Sequence, residues 1–206
     1  MIKLKDLLTE ANDSTQQIEQ ELLGFDLLQP KRYEENRSLP GYKRELNRLM
    51  PIVKKLGIEK TKELERAVGG YTATLYGRMN KSLRADKIPP KAALIDQYVE
   101  VAPKFKGKEL YRGIGKDLFQ TILSSKSKNF IDKAFMSATG DLATAEHFAT
   151  KKGKGGVLVL TGATNKAAQA PLFYRYKDGE SEFIFPRNTQ LKITKIDGNT
   201  IYATIL

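Results

Sequence analysis

The spacing of apolar residues changes at Pro103, and this change constrains the fold more than any other feature of the sequence. Before it, apolar side chains recur every three or four residues, as on the buried face of a helix. After it, short runs of β-branched and aromatic residues are separated by glycine, aspartate and asparagine, which predicts strands joined by turns. A helical part followed by a β part predicts an α+β fold. The length of 206 residues favours one domain.

The helical part is predicted to extend over residues 31–105. In residues 31–58 the apolar positions have helical spacing, and Pro51 fits either the first turn of a helix or the junction of two short ones. Gly57 is a typical helix stop. Another helix is expected after Pro89-Pro90, because proline suits the first turn of a helix.

Residues 59–86 hold the longest helical pattern, and Gly69-Gly70 is predicted to interrupt it. Tyr71 begins a second apolar series beyond the glycines. In that series Tyr76 and Asn80 are four residues apart and therefore share a helix face. Such a pair fits one wall of a pocket for a base or a nicotinamide ring, and equally a packed tyrosine beside a surface asparagine.

Six strands are predicted in residues 106–206. Asp141 is expected to cap a helix that continues through Phe148, and Asp197-Gly198-Asn199 to connect the last two strands. The glycine-rich loop at 151–156 precedes a strand, so it lacks the strand-loop-helix order of nucleotide-binding loops. The predicted strands are 109–115, 135–139, 157–160, 183–185, 190–196 and 200–205, with a helix over 116–124.

Glu180 and Glu182 stand at the start of a strand that Pro186 ends. Because side chains alternate along a strand, the two carboxylates point the same way, roughly 7 Å apart. Glycosidases use two carboxylates to stabilise a cationic sugar carbon and to prepare the nucleophile, so the pair suits that chemistry. A solvated pair at the edge of a loop is the alternative. The loop before it, expected at 163–178, contains Phe173 and Tyr174.

The amino-acid composition excludes several kinds of functional site. The chain has no cysteine, which excludes disulfides and thiolate metal sites, and its one histidine, His147, is expected to be a packing or surface residue. No apolar run is long enough to span a membrane, and the N-terminus does not have the pattern of a secretory signal. The net charge is +11 although residues 1–30 are acidic. The basic remainder fits an anionic ligand, a nucleic acid or a target bound to nucleic acid, and equally plain solubility.

Four motifs together resemble the arginine-specific mono-ADP-ribosyltransferases of the R-S-E class, which include actin-modifying bacterial toxins and tailed-phage transferases. The resemblance covers about residues 60–206. It implies an α+β fold in which the helical N-terminal part packs on a mixed, two-sheet β core. The motifs are Tyr111-Arg112-Gly113, Phe135-Met136-Ser137-Ala138-Thr139, Glu180-Ser181-Glu182, and the helix with Tyr71, Tyr76 and Asn80 followed by Leu83-Arg84.

The resemblance implies that NAD+ is the co-substrate and that no metal is needed. Arg112 would hold the NAD+ phosphates through paired, charge-assisted hydrogen bonds. Gly113 would offer its main chain to the nicotinamide amide. The residues expected to wall the cofactor are Tyr71, Tyr76 and Asn80.

The resemblance also assigns the catalytic set. Ser137 would orient Glu182, which would bind the nicotinamide ribose and stabilise the sugar as nicotinamide departs. Glu180 would receive the target guanidinium and assist its deprotonation, since arginine is otherwise protonated and a poor nucleophile. Phe173 and Tyr174 would contact the target.

The sequence departs from the family pattern at the serine motif and after the helix that follows it. Ala138 and Thr139 replace the second and third residues of the Ser-Thr-Ser motif, and Ala134 stands where an amide is common. Only Lys151 and Lys152 stand where an arginine is expected.

The expected function is NAD+-dependent transfer of ADP-ribose to arginine on host proteins by a phage or bacterial effector, with transcription or translation machinery as targets. An NAD+ glycohydrolase and a basic nucleic-acid-binding module are the alternatives. We expect a cytoplasmic location in the host, or packaging in a virion, with RNA contact through the basic surface and no membrane partner. NAD-linked RNA is a conceivable donor, and Leu8-Thr9-Glu10-Ala11 resembles a phage head-protease cleavage site.

Overall fold

The structure is a computed structural model that describes residues 40–125, 127–151, 153, 155–171 and 182–206. The acidic segment at 1–30, the Glu10 site, Phe173, Tyr174 and Glu180 lie outside the described residues.

Two long helices begin the described chain. Helix α1 spans Pro40–Leu56 and α2 spans Ile58–Gly70. Gly57 separates them with a φ of 77°, a left-handed conformation that glycine adopts without strain, and this confirms the predicted stop. Pro51, however, lies inside α1, neither in its first turn nor between two helices. The apolar face of α1, including the buried Leu49 and Ile52, keeps the helix continuous around the proline.

The chain does not break at Gly69-Gly70, contrary to the prediction. Helix α2 continues through both glycines into a π-helical turn at Tyr71–Leu75, and α3 follows at Tyr76–Arg84. Glycine inside a helix costs only about 1 kcal/mol relative to alanine. The burial of Leu64, Val68 and Tyr71 in a common core offsets this cost. Helix α4 then spans Ala92–Val101, after the proline pair as predicted.

The described residues after α4 form eight strands and two α-helices. All six predicted strands, the helix over 116–124 and the Asp141 cap are confirmed, since the Asp141 carboxylate accepts the N–H groups of Ala143 and Thr144. The two unpredicted strands are short and defined by long-range pairing. The elements are β1 Leu110–Ile114, α5 Lys116–Ser124, β2 Asn129–Asp132, β3 Met136–Thr139, α6 Leu142–Lys151, β4 Gly156–Gly162, β5 Ala168–Gln169, β6 Glu182–Phe185, β7 Thr189–Asp197 and β8 Thr200–Ile205.

The strands hydrogen-bond in the order β2-β7-β8-β4-β1-β3-β6-β5, antiparallel except for the parallel pair β4–β8. The stretch expected as a loop at 163–178 contains a 3-10 turn at Thr164–Lys166 and then β5. Within the described strands, the single ladder pair Tyr111–Thr139 joins the five strands that end with β1 to the three that begin with β3. The α+β fold with a mixed sheet is thereby confirmed, and its two halves meet along a narrow junction.

The three strands beyond this junction carry the helical layer on one face. Phe135 and Ile184 pack with Tyr71, Ile95 and the other buried helix residues. The alternate residues of β3 and β6 enter a second core with β1, β4, β7 and β8. Since side chains alternate along a strand, Ser137 shares a face with Phe135, and Glu182 with Ile184. Both positions therefore face the helical layer.

Candidate active site

A cleft opens where β1 and β3 separate. Their ladder has only the pair Tyr111–Thr139. Farther along β1, the Arg112 side chain reaches across and Nη1 donates to the main-chain oxygen of Ser137 at 2.6 Å. The cleft beside it has a volume of about 350 Å³ and is lined by Arg84, Arg112, Gly113 and residues 114–118. Beyond Tyr111 and Thr139, a side-chain contact has thus replaced strand pairing between β1 and β3.

Arg112 is partly buried, and one of its hydrogen-bond donors is unused. Its Nε atom is inaccessible to solvent and has no hydrogen-bond partner among the described residues. Burial lowers the pKa of Arg112, and the neighbouring Arg84 cation adds to this, whereas Asp132 and Glu182 oppose it. Arginine nonetheless stays protonated in proteins. The cleft therefore holds a partly buried cation with an unmet hydrogen-bond donor, which favours an anionic ligand.

Arg84 brings a second guanidinium group to the same cleft. It makes a bidentate ion pair with Asp132, with Nε to Oδ1 at 3.0 Å and Nη2 to Oδ2 at 2.8 Å. The Asp132 carboxylate is buried and also accepts the Ala134 N–H, so its orientation is fixed. The sequence placed Arg84 on a bordering helix but not among the site residues. Its partner is 48 residues away, and no local pattern indicates that pairing.

Tyr71 and Asn80 form a buried pair. The Asn80 amide donates to the Tyr71 hydroxyl at 3.1 Å, and that hydroxyl lies 3.3 Å from the Phe135 carbonyl. Nine residues of regular α-helix make two and a half turns and would set these side chains on opposite sides. The wider π turn at Tyr71–Leu75 changes this rotation. Tyr76 and Asn80 both lie in α3, four residues apart, but Asn80 is 6% exposed and Tyr76 42%. The pocket wall predicted for the two stays a prediction.

Ser137 and Glu182 lie beside this pair. Hydrogen bonding with Ser137 and the charges of Arg112 and Glu182 all affect the pKa of Tyr71, which burial raises overall, so the hydroxyl keeps its proton. In the β3–β6 register Glu182 is opposite Thr139, and Ser137 is opposite Ile184. Ser137 is thus the diagonal neighbour of Glu182, a distance that long side chains still bridge. The structure brings Arg112, Ser137, Glu182, Tyr71 and Asn80 to one region.

Gly113 has a packing reason to be glycine. A Cβ atom there would lie 2.1 Å from the Ala145 carbonyl oxygen and 2.7 Å from the Ala149 nitrogen, both on α6. Helix α6 therefore packs directly on the β1 main chain. The predicted contact of Gly113 with nicotinamide stays a prediction, and the residue does line the cleft.

The remaining predicted features lie elsewhere. His147 is exposed on α6. Within the part of the chain that the structure describes, no three His, Cys, Asp or Glu side chains are grouped as metal ligands would be. None of the described helices combines the length and apolar character needed to cross a bilayer.

Solved structures with a similar fold include two bacterial ADP-ribosyltransferases and exoenzyme S. C3larvin toxin from Paenibacillus larvae is 20% identical, with a TM-score of 0.53 over 84% of this chain and 98% of that chain. Vis from Vibrio splendidus, in complex with agmatine, is 18% identical, with a TM-score of 0.54 over 69% and 73%. Exoenzyme S from Pseudomonas aeruginosa, bound to carba-NAD and a 14-3-3 protein, is 14% identical, with a TM-score of 0.54 over 76% and 85%.

Sequence comparison gives the family. A search of curated protein sequences found no match. The family model of the ADP-ribosyltransferase exoenzymes matches residues 31–203, which is most of the chain. These enzymes use NAD+ as co-substrate, and the fold and the cationic cleft agree with that assignment. The protein is therefore a member of the ADP-ribosyltransferase exoenzyme family.

Proposed function

We propose that this enzyme transfers the ADP-ribose of NAD+ to arginine side chains of target proteins and releases nicotinamide. The observation that carries the proposal is that Arg112, Ser137 and Glu182, which lie on three different strands, all lie close enough to Tyr71 to interact with it, and that Arg112 also lines the cleft. The order of these residues along the chain matches the R-S-E class.

The cleft suits the diphosphate of NAD+. Arg112 offers the unpartnered Nε, and Arg84 presents a second guanidinium held by Asp132. Two guanidinium groups give the forked, charge-assisted hydrogen bonds that phosphates accept. Gly113 would offer its main chain to the nicotinamide amide. Tyr71, Asn80 and Tyr76 would form the wall of the nicotinamide site.

Glu182 would perform the central catalytic role. In the reaction the bond from the ribose carbon to nicotinamide breaks, and a new bond forms to a guanidinium nitrogen of the target. Positive charge develops on the sugar as nicotinamide leaves. A carboxylate fixed at the start of β6 would stabilise that charge without reorganising at the moment of reaction. Ser137 and Thr139, which lie on the strand that faces Glu182, would hold it.

Glu180 would make arginine the acceptor. The guanidinium loses one proton when it becomes bonded to the sugar, and the Glu180 carboxylate would take that proton. The spacing to Glu182 sets both carboxylates on the same side if the strand direction continues. A relative supports this choice of acceptor, because the Vis structure contains agmatine, which carries the same guanidinium group as arginine. Phe173 and Tyr174 would contact the target.

The target would be a host protein, and the enzyme would act as a phage or bacterial effector in the host cytoplasm. The net charge of +11 favours targets that are themselves bound to nucleic acid, such as transcription or translation machinery, with RNA contact through the basic surface.

The experiment is incubation of the full chain with labelled NAD+ and cell lysate. Labelled protein is expected, with the adduct on arginine by mass spectrometry. Glu182→Gln should reduce both labelling and nicotinamide release by about 10³-fold, whereas Glu180→Gln should abolish labelling and retain part of the release.

Two results would overturn the proposal. One is full labelling by the Glu182→Gln variant. The other is nicotinamide release that is equally fast with and without lysate while no protein is labelled, which would identify a glycohydrolase.

A further inference from the structure

A fully buried charged cluster lies in the helical layer, away from the cleft. Arg48 of α1 makes a bidentate ion pair with Glu65 of α2, at 2.7 Å for both bonds. The same guanidinium binds Glu45, with its Nη2 at 2.6 Å. All three side chains are at most 3% exposed.

Holding helices together with buried charged groups carries a large desolvation cost. Removing ions from water costs several kcal/mol each, and apolar side chains of similar volume often stabilise a core equally well. A packed layer of leucines would not, however, supply a fixed polar group. The cluster supplies one at Tyr98 of α4, whose hydroxyl accepts a hydrogen bond from Arg48 Nη1 at 2.6 Å.

The Tyr98 hydroxyl connects the charged cluster to the sheet. It donates to the main-chain oxygen of Gln169 at 2.6 Å. Burial raises the pKa of Tyr98 well above its ordinary value, so the donated proton stays in place. Gln169 belongs to β5, a strand of two residues that ends the order of described strands. Besides β6, this short strand pairs with the segment after α4, where Ala168 bridges Lys104 and the Gln169 N–H donates to the Pro103 oxygen at 2.8 Å. The Tyr98 hydroxyl adds a side-chain bond to this main-chain pairing.

Strand β5 in turn holds the main chain of Glu182. The Ala170 N–H donates to the main-chain oxygen of Glu182 at 2.9 Å, and Gln169 pairs with Phe183. A continuous series of hydrogen bonds therefore runs from Arg48 through Tyr98 and β5 to Glu182.

We propose that Tyr98, locked by Arg48 and Glu65, is a positioning residue that fixes β5 and thereby the main chain of Glu182. The proposal rests on the function proposed above for Glu182. Tyr98 acts through β5 and does not contact substrate. A hydroxyl that only stabilised the helical layer would leave the Glu182 strand unaffected.

The test compares Tyr98→Phe with Thr61→Val. Each removes one buried hydroxyl that donates to a main-chain oxygen, Gln169 in the first case and Gly57, at 2.7 Å, in the second. Both lie in the helical layer, but only Tyr98 bonds to β5. Amide hydrogen exchange at Ala170 reports on β5 directly, and nicotinamide release gives kcat and KM for NAD+.

Tyr98→Phe is expected to speed exchange at Ala170 and to lower kcat about tenfold, because small displacements of a catalytic group are costly. The KM for NAD+ should change less than about twofold. Thr61→Val should leave exchange at Ala170 and kcat unchanged. Glu65→Gln, which keeps the hydroxyl but loosens Arg48, should shift both readouts in the same direction as Tyr98→Phe, by less.

Unchanged exchange at Ala170 in Tyr98→Phe, or equal losses of kcat in Tyr98→Phe and Thr61→Val, would overturn the proposal. If Tyr98→Phe does not fold, an unchanged Ala170 amide in Glu65→Gln would overturn it. The exchange measurement does not depend on turnover, so it still decides the role of Tyr98 if the parent enzyme proves inactive on NAD+.

Discussion

Arg48 is fully buried and Arg112 is partly buried, and their surroundings are opposite. Arg48 makes five hydrogen bonds to two carboxylates and a tyrosine hydroxyl. Arg112 has a hydrogen bond to the Ser137 main-chain oxygen, while its Nε atom has no partner among the described residues.

The difference also appears in their protonation equilibria. Burial lowers the pKa of both side chains, but Glu65 and Glu45 outweigh burial at Arg48, so its pKa is raised. At Arg112 burial prevails and its pKa is lowered. A guanidinium whose N–H donors all have partners has no donor left for a ligand, so its role is structural. A buried guanidinium with an unused donor costs stability until an anion binds. The number of hydrogen-bond donors that already have partners therefore separates this structural arginine from the one expected to bind a ligand.

The largest expected effect comes from making the same substitution at both positions. Arg48→Met should lower the free energy of unfolding by about 3–5 kcal/mol, because Glu45 and Glu65 would be left buried without their cation. Arg112→Met should change it by about 1 kcal/mol or less, since one hydrogen bond is lost and an unmet donor is removed as well. Urea denaturation measures both.

The triple variant Arg48→Met, Glu45→Leu, Glu65→Leu should recover most of the stability lost in Arg48→Met, because no buried charge of the cluster remains. Equal destabilisation by the two single substitutions would contradict the distinction between the arginines.

The next largest effect is on activity, and here we expect a greater loss from substitution of Arg112 than from substitution of Arg48. Arg112→Met should lower kcat/KM for nicotinamide release by about 10²-fold or more, since phosphate contacts within a cleft of low dielectric are strong. Arg112→Lys should also be impaired, because lysine keeps the charge but lacks the planar fork. The triple variant Arg48→Met, Glu45→Leu, Glu65→Leu, where it is folded, should retain more activity than either Arg112 variant. Steady-state kinetics at a temperature where all variants are folded would show whether it does.

The smallest effect concerns the support of Arg84. Asp132→Asn keeps an acceptor for the Ala134 N–H but removes the charge that holds Arg84. We expect the KM for NAD+ to rise about fivefold with kcat nearly unchanged, in the range of one weakened charged contact. Asp86→Asn is the matched control, because Asp86 forms an exposed ion pair with Lys133, and exposed pairs contribute little. An equal rise of KM in both variants would show that the change is not specific to Arg84.

Elements with strong local signals were predictable from the sequence. Strand β1 follows from a β-rich run that ends in glycines, the β7–β8 hairpin from its Asp-Gly-Asn turn, and the start of α6 from the capping carboxylate of Asp141. The prediction of a helix break at Gly69-Gly70 was wrong, because the low helix propensity of glycine costs little free energy and the burial of neighbouring apolar residues outweighs that cost. Strands β2 and β5 were missed because so short a segment becomes a strand only through a distant partner.

The candidate site divides in the same way. The motifs around Arg112, Ser137 and Glu182 can be recognised by residue type and order along the chain. The partnership of Tyr71 with Asn80 depends on a π turn, and that of Arg84 with Asp132 on a contact between distant segments. Neither has a periodic signal in the sequence.

The sequence by itself determined the class of the fold, most of its elements and the residue types that carry the chemistry, because propensity, periodicity and turn chemistry act over a few neighbouring residues. Only the tertiary structure decided which charged groups are satisfied and which are not. Arg48 and Arg112 are alike as letters in the chain, and long-range packing alone surrounds one with carboxylates and leaves the other with an open donor in a cleft.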